Sequence, residues 1–198
     1  MSKLDAILLA GGKSSRMQGP DKVMLQLAGR PLLERAIEAA HSAGCAHIAV
    51  VGPERDLSLS ADIAYTLVRE DPPFAGPVAG LAAAEPLGES EWVLLLATDL
   101  PKIAEVIALL TAAIEARPEV DAHIIEAADG YLEWLCSAMK RTVFEQRLAA
   151  QPHLSVGVKR LFDGIETVSH RDPGELTADV DTPEQWAAAQ ERPIQDAG

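Results

Sequence analysis

The feature that most constrains this chain is an alternation: through its first two thirds, short continuous apolar runs are followed by segments with helical spacing. Asp5-Ala-Ile-Leu-Leu-Ala10, His47-Ile-Ala-Val-Val51, Ile63 to Val68 and Trp92-Val-Leu-Leu-Leu-Ala97 read as strands. Runs this short and this uniformly apolar suit strands covered on both faces. Between them, Leu32, Leu33, Ala36, Ile37 and Ala40 recur at helical intervals from Pro31 until Gly44. Pro77 to Leu87 reads as a short helix and Ile103 to Ala116 as a longer one. Such repetition builds a parallel sheet with helices on both faces, a Rossmann-like three-layer α/β/α sandwich.

Past residue 120 the pattern changes. Asp121 to Ala127 and Tyr131 to Met139 flank Ala128-Asp-Gly130, and Asp-Gly between two such runs signals a hairpin. An antiparallel pair is therefore expected within a mostly parallel sheet. Thr142 to Ala150 and Val156 to Phe162 predict short helices, Ile165 to Val168 a last strand, and Thr182-Pro-Glu184 the start of a terminal helix. A chain of 198 residues, 48% hydrophobic, has room for one sizeable core. The expectation is a single domain over 1–192 with a frayed tail at 193–198.

Charge and cysteine usage exclude several classes. The formal charge is −13 and the 17 Lys and Arg residues are scattered, a poor match to a nucleic-acid binder. Two cysteines, Cys45 and Cys136, indicate no disulfide framework, and the five histidines show no zinc-ligand spacing. The N-terminus lacks a basic n-region, and no apolar run approaches the roughly 18 residues of a spanning helix. A reduced, cytoplasmic protein that binds no membrane is the expectation.

Within this acidic chain, Leu9 to Lys22 (LAGGKSSRMQGPDK) gathers two adjacent glycines, two hydroxyls and the cations Lys13, Arg16 and Lys22 directly after the first strand. Glycine lets backbone N–H groups approach a ligand closely, and clustered cations favour phosphate. The same residues can also form an ordinary turn with solvated cations. Neither G-x-G-x-x-G nor G-x-x-x-x-G-K-[ST] is present, so any phosphate loop here is of another kind.

Three further segments stand out, the first two of them beyond the C-terminal ends of strands, where open α/β sheets place ligands. Asp99 follows the strand Trp92 to Ala97; it either caps the next turn or helix, or ligates Mg²⁺, which needs only one or two protein carboxylates beside substrate phosphates. Asp71 precedes two prolines and leads to Gly76-Pro-Val-Ala-Gly80, a helix start that can face an anion. Asp179-Val-Asp181-Thr-Pro-Glu pairs two carboxylates at a helix N-terminus, by itself mostly a capping sequence. Ser155, Lys159 and Arg160 can meet an acceptor phosphate or form a solvated basic face.

Taken together, L-A-G-G-x-S-x-R-M-x-x-x-D-K, the D-x(4)-G-P-x-x-G element from Asp71, Thr98-Asp-Leu-Pro101 and Asp179 to Glu184 resemble the signature of the MobA-like nucleotidylyltransferases, typified by the molybdenum cofactor guanylyltransferases. The resemblance implies a nucleotide-diphospho-sugar transferase-like fold. It implies transfer of GMP from GTP·Mg²⁺ to the phosphate of a molybdopterin-type acceptor, in a monomer or small homo-oligomer. It places Leu9, Ala10, Gly11, Gly12, Lys13, Ser14, Lys22, Asp71, Gly76, Gly80 and Asp99 at the nucleotide, Arg16, Lys22 and Asp99 in catalysis, and Asp99 with Asp181 at the metal. The family usually has a His-Pro pair near the acceptor, where this chain has Glu133-Trp134-Leu135. A related transferase using CTP or another phosphorylated acceptor, and an NTP-binding module without catalysis, are the alternative readings.

Overall fold

The computed structural model describes residues 3–11, 21–85, 88–178 and 186. β1 (Leu4–Leu9) leads, past residue 20, to a 3₁₀ turn over Lys22–Met24, then β2 (Gln26–Leu27), β3 (Arg30–Pro31) and α1 (Leu32–Ser42). β4 (Cys45–Val51), β5 (Thr66–Val68), α2 (Pro77–Ala83), β6 (Trp92–Ala97) and α3 (Ile103–Ala116) follow. β7 (Ala122–Glu126), β8 (Leu132–Lys140), α4 (Arg141–Ala149), a second 3₁₀ helix over Val158–Phe162 and β9 (Thr167–Arg171) complete the described elements.

Seven strands form one sheet in the order β5-β4-β1-β6-β8-β7-β9. β8 runs antiparallel to both β6 and β7, whereas every other neighbouring pair is parallel. The alternation of side chains along each strand sorts the core into two faces. Ala6, Leu8, Ile48, Val50, Leu94 and Leu96 pack toward α1 and α3 on one face, with Ala36, Ile37, Val106 and Leu110. Ile7, Ala49, Val51, Val93 and Leu95 face the other, under Val78 and Leu81 of α2, Phe144 of α4 and Leu161 of the second 3₁₀ helix. The expected α/β sandwich with an antiparallel insertion is present.

Differences from the sequence reading are local. Tyr65 and Leu67 are exposed at the sheet edge, and the strand expected from Ile63 contracts to Thr66–Val68. The helix expected over Pro77 to Leu87 is assigned only to Ala83, and Val156 to Phe162 forms a 3₁₀ turn from Val158. The β2–β3 hairpin is an addition to the expected elements: Ala28 and Gly29 turn it with φ of 51° and 80°, a left-handed pair usually signalled by Asn-Gly or Asp-Gly. The expected terminal helix from Thr182 lies outside the described residues, apart from Trp186. Among the described residues no helix is long and apolar enough to cross a membrane.

Candidate functional site

Because β1, β4 and β6 are parallel, their C-terminal ends open on one edge of the sheet. A cleft of about 490 Å³ lies there. Its base is Leu9, Ala10, Gly11 and Val51; one wall carries Asp21, Lys22 and Val23, another Glu70, Phe74, Gly76, Pro77 and Gly80, and a third Ala97, Thr98 and Asp99. The structure thus brings Leu9, Ala10, Gly11, Lys22, Gly76, Gly80 and Asp99 of the sequence-based set to one cavity. Gly12, Lys13, Ser14, Arg16 and Asp181 lie outside the described residues.

Local packing explains how the walls are set. The Ala10 N–H donates to the Val51 carbonyl at 2.9 Å, so this amide is committed to the sheet and phosphate-facing N–H groups would begin at Gly11. A Cβ on Gly80 would come within 3.2 Å of Leu9 Cδ2 and Val51 Cγ1, so glycine lets α2 settle onto the strand ends and keeps the cavity floor low. Gly76 has φ of 107°, a conformation L side chains rarely adopt, and it directs the chain into α2 with Pro77 at the first helical turn. Lys22 is held at the rim through its neighbour Val23, which is buried.

Asp99 stands one residue past Thr98, whose hydroxyl donates to the Leu9 carbonyl at 3.0 Å and ties the ends of β1 and β6 together. The N-cap of α3 is Lys102, which makes no side-chain cap hydrogen bond. Asp71 is exposed and does not line the cleft, whereas its neighbour Glu70 does. The Glu70 carboxylate accepts the Phe74 N–H at 2.9 Å, which bends the 70–74 segment over the cavity mouth.

A second cleft, of about 640 Å³, adjoins the first and shares Ala97, Asp99 and Leu135 with it. Its far wall is built by an interruption in β8. Ile124 pairs with Ser137 but Ile125 pairs with Glu133, so Trp134, Leu135 and Cys136 bulge out of the ladder with β7. The Ser137 hydroxyl closes the bulge onto the Trp134 carbonyl at 2.9 Å, and the Trp134 ring packs on Phe162 with centroids 5.2 Å apart. Sequence alternation along Tyr131 to Met139 reads as an ordinary strand and does not reveal this irregularity. Lys159 lines the second cleft; Ser155 instead gives its N–H to the Ala75 carbonyl at 2.7 Å, and Arg160 lies 3.9 Å from Asp163.

Thr177 completes that wall and is fixed by Asp172. Burial alone would push the Asp172 carboxyl up, but N–H donors from Leu176, Gly174 and Thr177 and the Thr177 hydroxyl outweigh it and hold the carboxyl below its usual range. The Lys102 ammonium donates to the Gly174 carbonyl at 2.7 Å and ties this turn to the start of α3.

The family model for the MobA-like NTP transferase domain matches residues 6–172. The chain belongs to this family. A molybdenum cofactor guanylyltransferase of Shewanella amazonensis is 28% identical over 190 residues, covering 92% of this chain and 93% of that protein. A probable molybdenum cofactor guanylyltransferase of a Nostoc species is 38% identical over 151 residues, covering 75% of this chain and 71% of its own. Among solved structures, Rv0371c of Mycobacterium tuberculosis superposes with a TM-score of 0.73 at 23% identity, covering 96% of this chain and all of that one. At that identity the likeness shows the fold alone. The MobA-like chain is accordingly a nucleotidyltransferase of the α/β class that its sheet displays.

Members of such a family use divalent metal, and a structure of Rv0371c is described as a manganese complex. In the MobA-like chain the donor set fits that role in a particular way. Among the described residues no group of three or more His, Cys, Asp or Glu side chains could hold a metal ion unaided. A half-buried Asp99 at the junction of two clefts instead suits an ion that takes one or two carboxylates and completes its shell with phosphate oxygens and water. Of the cleft carboxylates, Asp21 stands inside the quoted motif without an assigned role, and Glu70 escaped the sequence reading because its neighbour Asp71 drew the assignment.

Proposed function

We propose that this chain transfers GMP from GTP·Mg²⁺ to the phosphate of the molybdenum-molybdopterin cofactor, releasing pyrophosphate and forming the guanine dinucleotide. The observation that carries the reading is the pair of adjoining clefts that share Asp99. A transferase with two substrates needs two pockets that meet at the reacting phosphorus, and the first is bounded by the start of the glycine-rich loop. The curated relatives named as molybdenum cofactor guanylyltransferases support the choice of donor and acceptor.

In this reading GTP occupies the first cleft and the pterin phosphate approaches from the second. An acceptor phosphate oxygen forms a bond to the α-phosphorus while the bond from that phosphorus to the α–β bridging oxygen breaks, and pyrophosphate leaves in line. The acceptor is already anionic, so no covalent enzyme intermediate is needed; orientation and charge neutralisation supply the rate. The amides from Gly11 to Lys13 and the Arg16 side chain hold the β- and γ-phosphates, and Lys22 offsets charge that builds near the α-phosphate. Asp99, with Asp181, would hold the divalent ion, whose charge would offset that of the donor phosphates. Asp71, exposed beside the cleft mouth, contributes to the nucleoside end together with Glu70.

One observation favours a second reading for the acceptor alone. The second cleft is walled by Glu133, Trp134 and Leu135 in place of the family's usual His-Pro pair, which suits a related phosphorylated acceptor. Pyrophosphate release measured with GTP and with CTP, each with and without molybdopterin, separates these. GTP-dependent release that requires the pterin supports the guanylyltransferase; release with CTP alone, or none with the pterin, overturns it.

A further inference from the structure

Arg55 follows β4 and belongs to none of the motifs that identify the family, yet its side chain is only 9% exposed. Its guanidinium is divided among three partners: Nη2 donates to the Ala10 carbonyl at 2.8 Å, Nε to the Asp21 carboxylate at 2.6 Å, and Nη1 to the Pro53 carbonyl at 3.1 Å. Ala10 and Asp21 are the two residues that flank positions 11–20, the stretch carrying the glycines, hydroxyls and cations of the phosphate loop. We propose that Arg55 is a positioning residue of the nucleotide site, which joins both ends of the phosphate loop to the end of β4 and neutralises Asp21 on the cleft wall.

The proposal rests on the nucleotidyl-transfer reading above, and three observations lead to it. The guanidinium spreads its donors over three nitrogens in one rigid plane and so reaches Asp21, Pro53 and Ala10 in fixed directions, whereas a lysine ammonium gathers its three donors on a single nitrogen at the end of a flexible stem. Asp21 lines the cleft, where an unpaired carboxylate would repel a triphosphate; the ion pair with Arg55 offsets that charge at its source. The chain also makes room for the clamp: a Cβ on Gly52 would sit 3.0 Å from the Ala10 carbonyl carbon and oxygen and 3.2 Å from Arg55 Nη1. Ala10 is thereby fixed twice on the β4 end, by its N–H on Val51 and by its carbonyl through Arg55. Fixing the loop ends matters because a misplacement of about 1 Å in a phosphate-binding frame can cost on the order of 10²-fold.

The test uses the full chain and direct binding, so that it does not depend on turnover. GTP·Mg²⁺ and CTP·Mg²⁺ are titrated into wild type, Arg55→Lys, Arg55→Gln and Gly52→Ala, with thermal unfolding followed in parallel and KM determined for both substrates. Affinity for the nucleotide that wild type binds should fall about 10- to 100-fold in both Arg55 variants and several-fold in Gly52→Ala, with the acceptor KM unchanged. A merely structural Arg55 would lower the unfolding midpoint and leave nucleotide affinity within twofold; that result overturns the proposal. If the Arg55 variants do not fold, unchanged affinity in Gly52→Ala overturns it. A wild-type chain that binds neither nucleotide overturns both this role and the function it serves, whereas tight wild-type binding with unaltered variants removes only the role of Arg55.

Discussion

The two ends of the sheet treat charge in opposite ways. At the N-terminal edge, Asp5 is fully buried at the start of β1 and accepts hydrogen bonds from Arg141, from the Ser90 hydroxyl at 2.8 Å and from the His47 N–H at 3.1 Å. Arg141 reaches it because β8 runs antiparallel and returns the chain to the edge where β1 begins; its Nε also donates to the Ser90 carbonyl at 2.7 Å. At the C-terminal edge, Asp99, Lys22, Glu70 and Asp21 line an open cavity. A buried carboxylate must be satisfied by the protein's own donors, as Asp5 is. Charges arranged around a cleft line the space a substrate would enter.

That contrast is broken most sharply at the closed end. Asp5→Ala strands the Arg141 cation inside the fold and should lower stability by about 3–5 kcal/mol in chemical denaturation, while the activity per folded molecule is retained. A loss of activity without a loss of stability would mean the two ends are not separate in role. At the open end, Asp99→Ala or Lys22→Ala should reduce pyrophosphate release by on the order of 10²–10³-fold and leave the denaturation midpoint nearly unchanged. Wild-type turnover in either variant would contradict the assigned site.

A smaller effect separates the ends by pH. His123 is buried against Trp92, with its Nδ1 2.9 Å from His170 Nε2 and its Nε2 3.2 Å from the Arg117 carbonyl. Burial, followed by the neighbouring charges of His170 and Arg117, pushes its pKa down to about 4, although the Arg117 carbonyl and Glu119 act the other way. The unfolded chain takes up this proton near pH 6.5. Since the folded value is the lower one, stability is fully present above about pH 6.5 and is lost as pH falls toward 4. Denaturation midpoints at pH 8, 6 and 4.5 should decline in that order, and His123→Leu should flatten the decline. The smallest effect is that of Gly80→Ala at the cleft floor, which should weaken nucleotide binding several-fold through its 3.2 Å contacts with Leu9 and Val51.

The same contrast marks what the sequence discloses. Strands such as Trp92–Ala97 were legible because a run buried on both faces is written in apolar residues alone, and Asp99 was legible because it directly follows one. The turn at Ala28-Gly29 was not, since alanine does not announce a left-handed conformation. The bulge at Trp134 to Cys136 keeps the alternation of a regular strand, so only its register betrays it. Apart from the nearby Pro53 carbonyl, the partners of Asp5 and Arg55 come from 34 to 136 positions away, and a local pattern carries no trace of such pairings. Motif reading found residues that line the cleft but not Arg55.

The most direct measurement is a crystal structure of the chain with Mn²⁺ and a GTP analogue that cannot release pyrophosphate, with the ion located by its anomalous signal. The account predicts the nucleotide in the cleft between Gly11 and Gly80, the ion on the Asp99 carboxylate, and the α-phosphate facing the cavity walled by Leu135 and Trp134. An ion away from Asp99, or a nucleotide seated in the second cleft, would contradict it.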